Sequence, residues 1–258
     1  MNCHCCGENY FLRIPCVYEC INCGHTHSKY PGDSIEYHQT QYRNLERRDW
    51  DEINQEGKVM PLFHDKRKDI CSNRIDYISK YLNKNDTCLD IGSGAGTFAS
   101  HLRPFVSEID CIELTPCLIN EIKNLGFKTY DQDFLQIKFD KKYDFIFAWH
   151  VLEHVDDPEQ FLLKTKELSN KYVVIEVPLF VALNGQGRRR KLISPTINEY
   201  DGHAHMFCEK SFRAMAEKYF NIIELVEGVQ SPAILAVMEH KDGCYFSWHN
   251  LAWLSLSI

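Results

Sequence analysis

The sequence predicts an α/β fold in which helices cover both faces of a mostly parallel sheet. From about residue 71 onward, short apolar runs alternate with amphipathic runs, a pattern typical of parallel strands joined by crossover helices. The last two apolar runs lie close together in the chain, so we expect them to form an antiparallel pair at one end of the sheet. A chain of 258 residues can hold this domain and a small additional module.

The individual elements follow from the spacing of the apolar residues. Strands are predicted for the short apolar, β-branched or aromatic runs at 87–91, 108–112, 128–130, 143–149, 172–177, 222–225 and 233–239. Helices are predicted where apolar residues recur at intervals of three and four, at 71–82, 97–102, 116–125, 158–168 and 209–219. The fourth helix has the clearest start, because Asp157 can cap it and Pro158 suits its first position.

Composition and charge are those of an ordinary globular protein. Apolar residues make up 44% and charged residues 25% of the chain, and the formal net charge is -7. A negative net charge argues against a global basic field that would attract nucleic acid or an anionic membrane. The sequence shows neither a secretory signal nor an apolar run of about 18 residues that could span a bilayer. We therefore expect a cytoplasmic enzyme without a membrane partner.

Cysteines are concentrated near the amino terminus of a chain without a secretory signal, which favours metal binding over disulfides. Cys3 and Cys6 form one Cys-x2-Cys pair, and Cys20 and Cys23 form a second. A glycine follows each pair and permits a tight turn. Four thiolates so arranged predict a structural zinc in a small zinc-ribbon-like module at residues 1–33. Exchange of one ligand is left open, because alternative ligands lie nearby at His4, Cys5, Cys16 and His25.

Two further segments flank the α/β domain, which is placed at residues 71–240. Residues 34–70 are polar, charged and aromatic, and we predict a helical connector and lid there. Residues 241–258 form an aromatic tail that could pack on the domain or on a second copy of the chain. The sequence therefore leaves a homodimer open.

The stretch "TCLDIGSGAGTF" places a glycine-rich loop between the first strand of the sheet and a helix. Its glycines allow a tight turn and a close approach of a ligand to the backbone. The second strand ends at Glu113, whose carboxylate can accept hydrogen bonds from both hydroxyls of a ribose. After the third strand, Asp133 can bind an adenine amino group and Phe134 can pack on the ring. Taken singly, Asp133 could be a helix cap and Phe134 a core residue, but in this order they predict a nucleoside site.

The run from Leu89 to Leu168 resembles the class I S-adenosylmethionine-dependent methyltransferases. The matching text is "LDIGSGAG", "CIELTP", "DQDF" and "FAWHVLEHVDDPEQFL". The resemblance implies a Rossmann-like, mostly parallel sheet of seven strands, with the last strand antiparallel and the cofactor across the carboxyl ends of the strands. The cofactor contacts that it implies are Asp90, Gly92, Ser93, Gly94 and Gly96 near the methionine, Glu113 and Leu114 at the ribose, and Asp133 and Phe134 at the adenine. The cysteine module resembles the zinc-binding module attached to some bacterial sugar methyltransferases.

A dinucleotide-dependent dehydrogenase is the main chemical alternative for the glycine loop. Its phosphate-binding loop usually reads Gly-x-Gly-x-x-Gly, whereas the sixth position here is Thr97. Asp90 would lie unfavourably close to a pyrophosphate, whose charge has the same sign. The cationic sulfonium and ammonium groups of S-adenosylmethionine fit an acidic loop better.

The stretch "WHVLEHVDDP" contains His150-x-x-Glu153-His154, a spelling that zinc peptidases also use. A peptidase needs a continuous helix to align its two histidines, but here a strand ends at Trp149 and the next helix begins at Pro158. We therefore predict a turn at the carboxyl end of a strand, where ligands bind in open α/β sheets. Its His and Glu side chains would face the transferred methyl group. In related enzymes the histidine of this motif serves as the base or lies against the cofactor, so His150 is also a candidate cofactor contact.

A long insertion after the fifth strand of the sheet carries further polar residues, and long loops in compact domains are usually lids or binding loops. His203 and His205 alternate along it, so in an extended chain both would face the same crevice as the turn. The basic run Arg188–Lys191 could contact an anionic group of the substrate.

Two routes of acceptor activation remain open at this stage. A neutral histidine could remove the proton from the attacking hydroxyl, while another histidine of the turn only shapes the backbone. Alternatively, the imidazoles together with Glu153 or Glu176 could hold a second divalent metal that polarises the acceptor. The catalytic candidates are His150, Glu153, His154, His203 and His205.

Together these features predict O-methylation of a small polar acceptor by in-line methyl transfer. The zinc module and the basic insertion favour a sugar, a nucleotide sugar or a phosphorylated glycan precursor. The alternative is an RNA or protein methyltransferase that uses the zinc module to grip a macromolecule. The negative charge and the lack of an aromatic-basic surface pattern disfavour that alternative. A cofactor-binding regulator without activity is a third option, which the His/Glu set disfavours.

Overall fold

The computed structural model describes residues 2–14, 17–28, 61–179, 203–227 and 233–241. Several sequence predictions lie outside these ranges: most of the connector and lid at 34–70, the basic run at 188–191 and the tail beyond residue 241. Cys16, one of the alternative metal ligands, lies outside them as well.

Within the described residues the chain forms eleven strands and five α-helices. The strands are β1 (Tyr10–Ile14), β2 (Val17–Cys20), β3 (Thr26–Ser28), β4 (Thr87–Ile91), β5 (Glu108–Ile112), β6 (Lys128–Tyr130), β7 (Tyr143–Trp149), β8 (Ser169–Pro178), β9 (His205–Met206), β10 (Phe220–Glu227) and β11 (Ala233–His240). The helices are α1 (Pro61–Ile78), α2 (Thr97–Leu102), α3 (Pro116–Asn124), α4 (Pro158–Leu168) and α5 (Glu209–Ala216).

Seven of the strands form one sheet in the order β10-β11-β8-β7-β4-β5-β6. The five strands from β8 to β6 run parallel, whereas β11 is antiparallel to both β8 and β10. The predicted mostly parallel, seven-stranded sheet is confirmed. The strand order reverses beside β4, because the chain first moves outward through β5 and β6 and then returns to β7 on the other side. Ligands of such sheets bind where the order reverses, at the carboxyl ends of the strands.

The central strands are apolar because both faces of the sheet are covered. Successive residues of a strand point to opposite faces, and β7 divides accordingly. Phe145, Phe147 and Trp149 belong to the core that α1 and α2 cover, while Ile146 and Ala148 belong to the core on the other face. Burial of such side chains in two separate cores is the main stabilising contribution to this sheet.

The first helix of the domain is longer than predicted. α1 begins at Pro61, so the predicted domain boundary at residue 71 falls inside a helix. The stretch "HDKRKD" occupies its first half and shows no apolar periodicity, which is the signal on which a sequence-based helix boundary depends.

The amino-terminal cysteines lie in a second sheet of four short strands, in the order β1-β2-β3-β9. The first three strands form antiparallel hairpins, and β9 is contributed by the insertion after β8. Cys3 and Cys20 pack in the same core as Leu152 and Phe207. The sheet of the module therefore includes β9 in addition to strands from residues 1–33. Its cysteines also share a hydrophobic core with the large domain. The sequence does not predict the pairing of β9 with β3, because the two strands lie far apart in the chain and a two-residue strand shows no apolar pattern.

None of the helices in the described part of the chain combines the length and the apolar character that crossing a bilayer requires.

Candidate active site

The glycine loop follows β4 and depends on backbone conformations that glycine adopts easily. Gly92, Gly94 and Gly96 have φ angles of +69°, +57° and +75°, in the left-handed region. Gly92 also lies under the neighbouring turn, where an added Cβ would come 2.6 Å from Val151 Cγ2. By contrast, nothing lies within 4 Å of a Cβ added at Gly94. The loop therefore packs closely on one side and leaves room beside Gly94.

Asp90 is the penultimate residue of β4, close to this loop, and its carboxylate has no hydrogen-bond partner among the described residues. Its side chain is 1% exposed. Burial raises the pKa of Asp90 to about 7, although the Arg74 guanidinium opposes the shift. A buried carboxylate without a partner is costly, so Asp90 is placed to receive a cation or a hydrogen-bond donor from a ligand.

Glu113 joins the end of β5 to the glycine loop. Its Oε1 accepts hydrogen bonds from the backbone N–H groups of Leu114 and Thr115, both at 2.8 Å, and its Oε2 accepts one from Gly94 at 2.9 Å. A carboxylate offers about four acceptor positions, so Glu113 can still accept a hydrogen bond from a ligand hydroxyl. Ser93 tightens the same loop, since its hydroxyl donates to the Asp90 carbonyl oxygen at 2.7 Å.

The two residues assigned to the adenine differ in exposure, since Asp133 is half-buried and Phe134 is buried. The Asp133 carboxylate is half-buried and accepts the Leu135 N–H at 2.7 Å, as a turn cap does. Phe134 is buried, and its ring lies 5.0 Å from the ring of Phe161 in the core. The Phe134 side chain therefore packs in the protein interior, and only the Asp133 side of this turn is partly open to a ligand.

The segment from His150 to Asp157 is a turn between β7 and α4 and contains no helix. His150 has a φ of 57°, which is uncommon for a residue other than glycine, and its N–H donates to the Glu176 carbonyl oxygen at 2.8 Å. Asp157 caps α4, accepting the N–H groups of Glu159 at 3.1 Å and Gln160 at 3.0 Å. The predicted turn and the predicted cap are both confirmed, and a peptidase-like helix is absent from this segment.

His150 is held between two carboxylates. Its Nε2 lies 2.9 Å from Glu176 Oε1, and its Nδ1 lies 3.4 Å from Glu153 Oε1. Burial alone would lower the pKa of His150, but the two carboxylates raise it to about 9. Burial likewise disfavours the ionised form of Glu176, yet His150 and Arg74 bring its pKa down to about 2.

Arg74 completes this arrangement, and sequence reasoning missed it. Its guanidinium forms a buried ion pair with Glu176 and lies 4.5 Å from the centre of the Trp149 ring. Arg74 lies on α1, far from the motif in sequence, among other charged residues. Arg74 differs from a surface arginine by its buried partner Glu176, and the sequence does not show that these two residues are in contact.

A second cluster lies beside His150. Glu153 is 1% exposed, and neither of its carboxylate oxygens has a hydrogen-bond partner among the described residues. His154 Nε2 lies 3.8 Å from Glu153 Oε1, and the rings of His154 and His203 are 4.7 Å apart. One ligand atom from each of Glu153, His154 and His203 lies within 4.8 Å of the other two. These three residues could hold a metal ion.

His205 departs from the prediction. The structure brings His203 to the turn but places the His205 ring 5.3 Å from the ring of His25 and 4.9 Å from that of His27, in stacked arrangements. Burial holds the pKa of His205 well below its usual range. The alternation of sides fails because the chain bends at Ala204 before β9 begins. His205 therefore belongs to the amino-terminal sheet and does not line the crevice with His150 and His154.

The four predicted zinc ligands come together. Cys3 Sγ lies 3.6 Å from Cys23 Sγ, Cys6 Sγ lies 3.4 Å from Cys20 Sγ, and all four sulfurs lie within 4.8 Å of one another. With Zn–S bonds of about 2.3 Å, a tetrahedral site requires sulfurs just under 4 Å apart, so the sulfurs fit this metal. The alternative left open by the sequence also remains, because Cys3, Cys5 and His25 form an overlapping group of ligand atoms.

Comparison with known proteins identifies the family to which this chain belongs. Residues 63–225, more than half of the chain, match the family model described as "Methyltransferase domain". No curated protein matches the sequence significantly.

Solved structures with a similar fold include a chain of a Haloferax volcanii complex between a methyltransferase activator and a methyltransferase. It has a TM-score of 0.55 and 12% identity and covers 70% of this chain and 94% of that one. The N-methyltransferase NodS from Bradyrhizobium japonicum, solved with S-adenosyl-L-homocysteine, has a TM-score of 0.51 and 17% identity over 68% and 87%. An S-adenosylmethionine-dependent methyltransferase from Clostridium acetobutylicum has a TM-score of 0.50 and 11% identity over 66% and 90%. At these identities the similarity is one of fold.

Proposed function

Because the chain belongs to the Methyltransferase domain family and is a class I S-adenosylmethionine-dependent methyltransferase, we propose that it methylates an oxygen of a small polar acceptor. The acceptor class is a sugar, a nucleotide sugar or a phosphorylated glycan precursor. The single observation that carries the cofactor assignment is the buried Asp90 carboxylate, which has no hydrogen-bond partner among the described residues and lies close to a glycine loop that is fastened to Glu113.

The cofactor would lie along the carboxyl ends of β4 and β5. The Asp90 carboxylate would face the cationic end of S-adenosylmethionine, because opposite charges offset the cost of burying either one. The open space beside Gly94 gives the cofactor access to the backbone, and Glu113 would accept a ribose hydroxyl. Asp133 would meet the adenine amino group, with Phe134 supporting that turn from the core.

The acceptor would lie over the turn at the end of β7, since this strand is the neighbour of β4. Methyl transfer is an in-line displacement, so the acceptor oxygen must point at the sulfonium and lose its proton. We assign His150 to orienting groups and not to taking up a proton, because its Nε2 contacts Glu176 and its Nδ1 faces Glu153. We therefore assign acceptor activation to His154 of this turn and to His203, which lies beside it.

We also propose that the four cysteine sulfurs hold a structural zinc. All four coordination positions would come from the protein, so the ion would stabilise the fold and take no part in the chemistry. The basic run Arg188–Lys191 favours an acceptor that carries an anionic group. The formal net charge of the whole chain is -7, which favours a small-molecule acceptor over RNA.

Calorimetry with S-adenosylmethionine tests the cofactor assignment first. We expect saturable binding by the wild-type protein and at least about tenfold weaker binding by Glu113→Ala, which removes the fastening of the loop. Absence of binding by folded wild-type protein would refute the proposal.

Methyl-release assays on a panel of nucleotide sugars, RNA and protein extracts then identify the acceptor class. Methylation of a nucleotide sugar that is insensitive to salt supports a small-molecule enzyme. Activity confined to RNA, with a steep decrease as salt rises, would replace it with the RNA methyltransferase alternative.

A further inference from the structure

We propose that Glu153, His154 and His203 form a binding site for one divalent transition-metal ion, which holds the methyl acceptor. This inference rests on the proposed function for the identity of the acceptor, but the metal site itself can be tested without it. The site would be separate from the four-cysteine site, with which it shares no residue.

The strongest observation is the carboxylate of Glu153. Its residue is 1% exposed, and both of its oxygens lack a hydrogen-bond partner among the described residues. A buried carboxylate is ordinarily paired or coordinates a metal. The nearest cationic group is the His150 ring, whose Nδ1 lies 3.4 Å from Glu153 Oε1. Its Nε2 contacts Glu176, so this one cation compensates only part of the charge of Glu153.

The two histidines supply the remaining ligands. His154 Nε2 lies 3.8 Å from Glu153 Oε1, and a nitrogen of His203 completes a group in which all ligand atoms lie within 4.8 Å of one another. Ligand atoms bound to one metal at about 2.1 Å lie roughly 3 to 4 Å apart, so a small movement of the side chains would close the site. Both imidazoles are only partly buried, which leaves one side of the group open to a ligand.

The donor set indicates which ions fit. Two imidazole nitrogens and one carboxylate suit Mn²⁺, Fe²⁺, Co²⁺ or Zn²⁺, whereas Mg²⁺ and Ca²⁺ prefer oxygen ligands. Three protein ligands leave coordination positions open, as in catalytic sites. We therefore expect an acceptor that presents two neighbouring oxygens, such as a vicinal diol or a hydroxyl beside a carbonyl, because such a pair can occupy two open positions.

The backbone holds these ligands together from two distant segments. The His205 N–H donates to the Glu153 carbonyl oxygen at 3.0 Å, and His205 is anchored in the amino-terminal sheet by pairing with His27. This bond holds His203 beside the turn, although His154 and His203 lie 49 positions apart in the sequence (203 − 154). The arrangement is therefore part of the fold and not an accident of one loop.

In the reaction, the acceptor hydroxyl would bind the metal, which lowers its pKa, and its proton would pass to solvent. The resulting oxygen anion attacks the methyl carbon of the cofactor and forms the O–CH3 bond. The C–S bond breaks with its electron pair remaining on sulfur, so the sulfonium becomes a neutral thioether. Charge and atoms balance without a further reactant.

Calorimetry with Co²⁺ alone, on full-length protein carrying its structural zinc, tests the site. We expect one Co²⁺ per chain for the wild type, and roughly 100-fold weaker binding for Glu153→Gln and for His203→Ala, since each loses a ligand. Glu159→Gln and His101→Ala are the matched controls, because they change the same residue types on α4 and α2, and both should bind Co²⁺ as the wild type does.

Each variant is also titrated with S-adenosylmethionine, so that loss of Co²⁺ binding can be separated from misfolding. His203→Ala provides the decisive result if Glu153→Gln fails to fold. No Co²⁺ binding by wild-type protein, or equal Co²⁺ affinity in folded His203→Ala, overturns the metal site. Failure of S-adenosylmethionine to bind the wild type would instead refute the proposed function and leave the Co²⁺ result to be judged by itself.

Discussion

The backbone N–H of His205 donates a hydrogen bond to the carbonyl oxygen of Glu153 at 3.0 Å. His205 also pairs with His27 across β9 and β3, so one residue links the cysteine-rich sheet to the turn at the end of β7. A second hydrogen bond joins the segment after β9 to the cysteine module: Cys208 Sγ donates to the Cys23 carbonyl oxygen at 3.1 Å. The amino-terminal sheet therefore supports the turn at the end of β7.

Removal of the proposed zinc should loosen the turn. Without the metal, the hairpins that carry the cysteines lose their main constraint, and β9 loses the strand with which it pairs. We expect faster amide hydrogen exchange at 203–208 and 150–154 in chelator-treated protein, while amides of β4 exchange as before. Unchanged protection of both segments after verified loss of zinc would contradict this role.

Gly92→Ala should damage the cofactor loop more than Gly94→Ala. Both positions have positive φ, which costs an alanine about 1 to 2 kcal/mol. Only at Gly92 would the new Cβ also meet Val151 Cγ2, at 2.6 Å, so the loop or the turn must move. Calorimetry with S-adenosylmethionine and urea unfolding measure the difference, and equal effects of the two substitutions would argue against close packing of the loop on the turn.

Part of the fold and of the site could be predicted from the sequence because the signals are local. The glycine loop, Glu113 at the end of β5 and the Asp157 cap depend on residues close in sequence, and each was placed where the structure has it. The parallel sheet follows from strands that are apolar on both faces.

The remaining features depend on contacts between distant segments. The alternation of His203 and His205 predicts that both rings face one crevice only if the chain is extended there. The bend at Ala204 and the pairing of β9 with β3 turn the His205 ring the other way. Arg74 gave no signal, since a buried arginine and a surface arginine have the same neighbours in sequence. The start of α1 was missed because its first half is charged and lacks apolar periodicity.

Arg74→Met should destabilise the protein strongly. The substitution removes the guanidinium partner of the buried Glu176, whose charge is then offset by His150 without Arg74. Breaking a buried pair from one side typically costs about 3 to 5 kcal/mol. The double variant Arg74→Met/Glu176→Gln should recover much of this loss, because the buried charge that had lost its guanidinium is gone. Lys80→Ala is the control: its ion pair with Glu224 is partly exposed, so its loss should cost less than about 1 kcal/mol. Urea unfolding measures all four proteins, and a small effect of Arg74→Met would show that the pair is dispensable.

Binding of S-adenosylmethionine should weaken as pH falls below neutrality. The pKa of Asp90 is raised to about 7 by burial, and only its ionised form attracts the cationic end of the cofactor. Below pH 7 the affinity should fall by about tenfold per pH unit, as the ionised fraction does. Asp90→Asn should bind weakly at every pH and show no such slope. A wild-type affinity that is constant between pH 6 and pH 8 would contradict a direct role of this carboxylate.

The same carboxylate should make the unliganded protein less stable at alkaline pH. The pKa of Asp90 is raised from 3.8 in its ordinary state to about 7 in the folded protein, so between these values the folded state binds more protons than the unfolded state. Its contribution to stability is therefore fully present below about pH 4 and is lost as pH rises through 7. Above pH 7 the ionised, buried Asp90 costs up to roughly 4 kcal/mol, because each pKa unit corresponds to about 1.4 kcal/mol. We expect Asp90→Asn to unfold at a higher urea concentration than the wild type at pH 8. S-adenosylmethionine should remove the difference, because it binds the wild type more tightly and therefore stabilises it more. A less stable Asp90→Asn variant at pH 8 would mean that the carboxylate is already compensated within the fold and is not reserved for the cofactor.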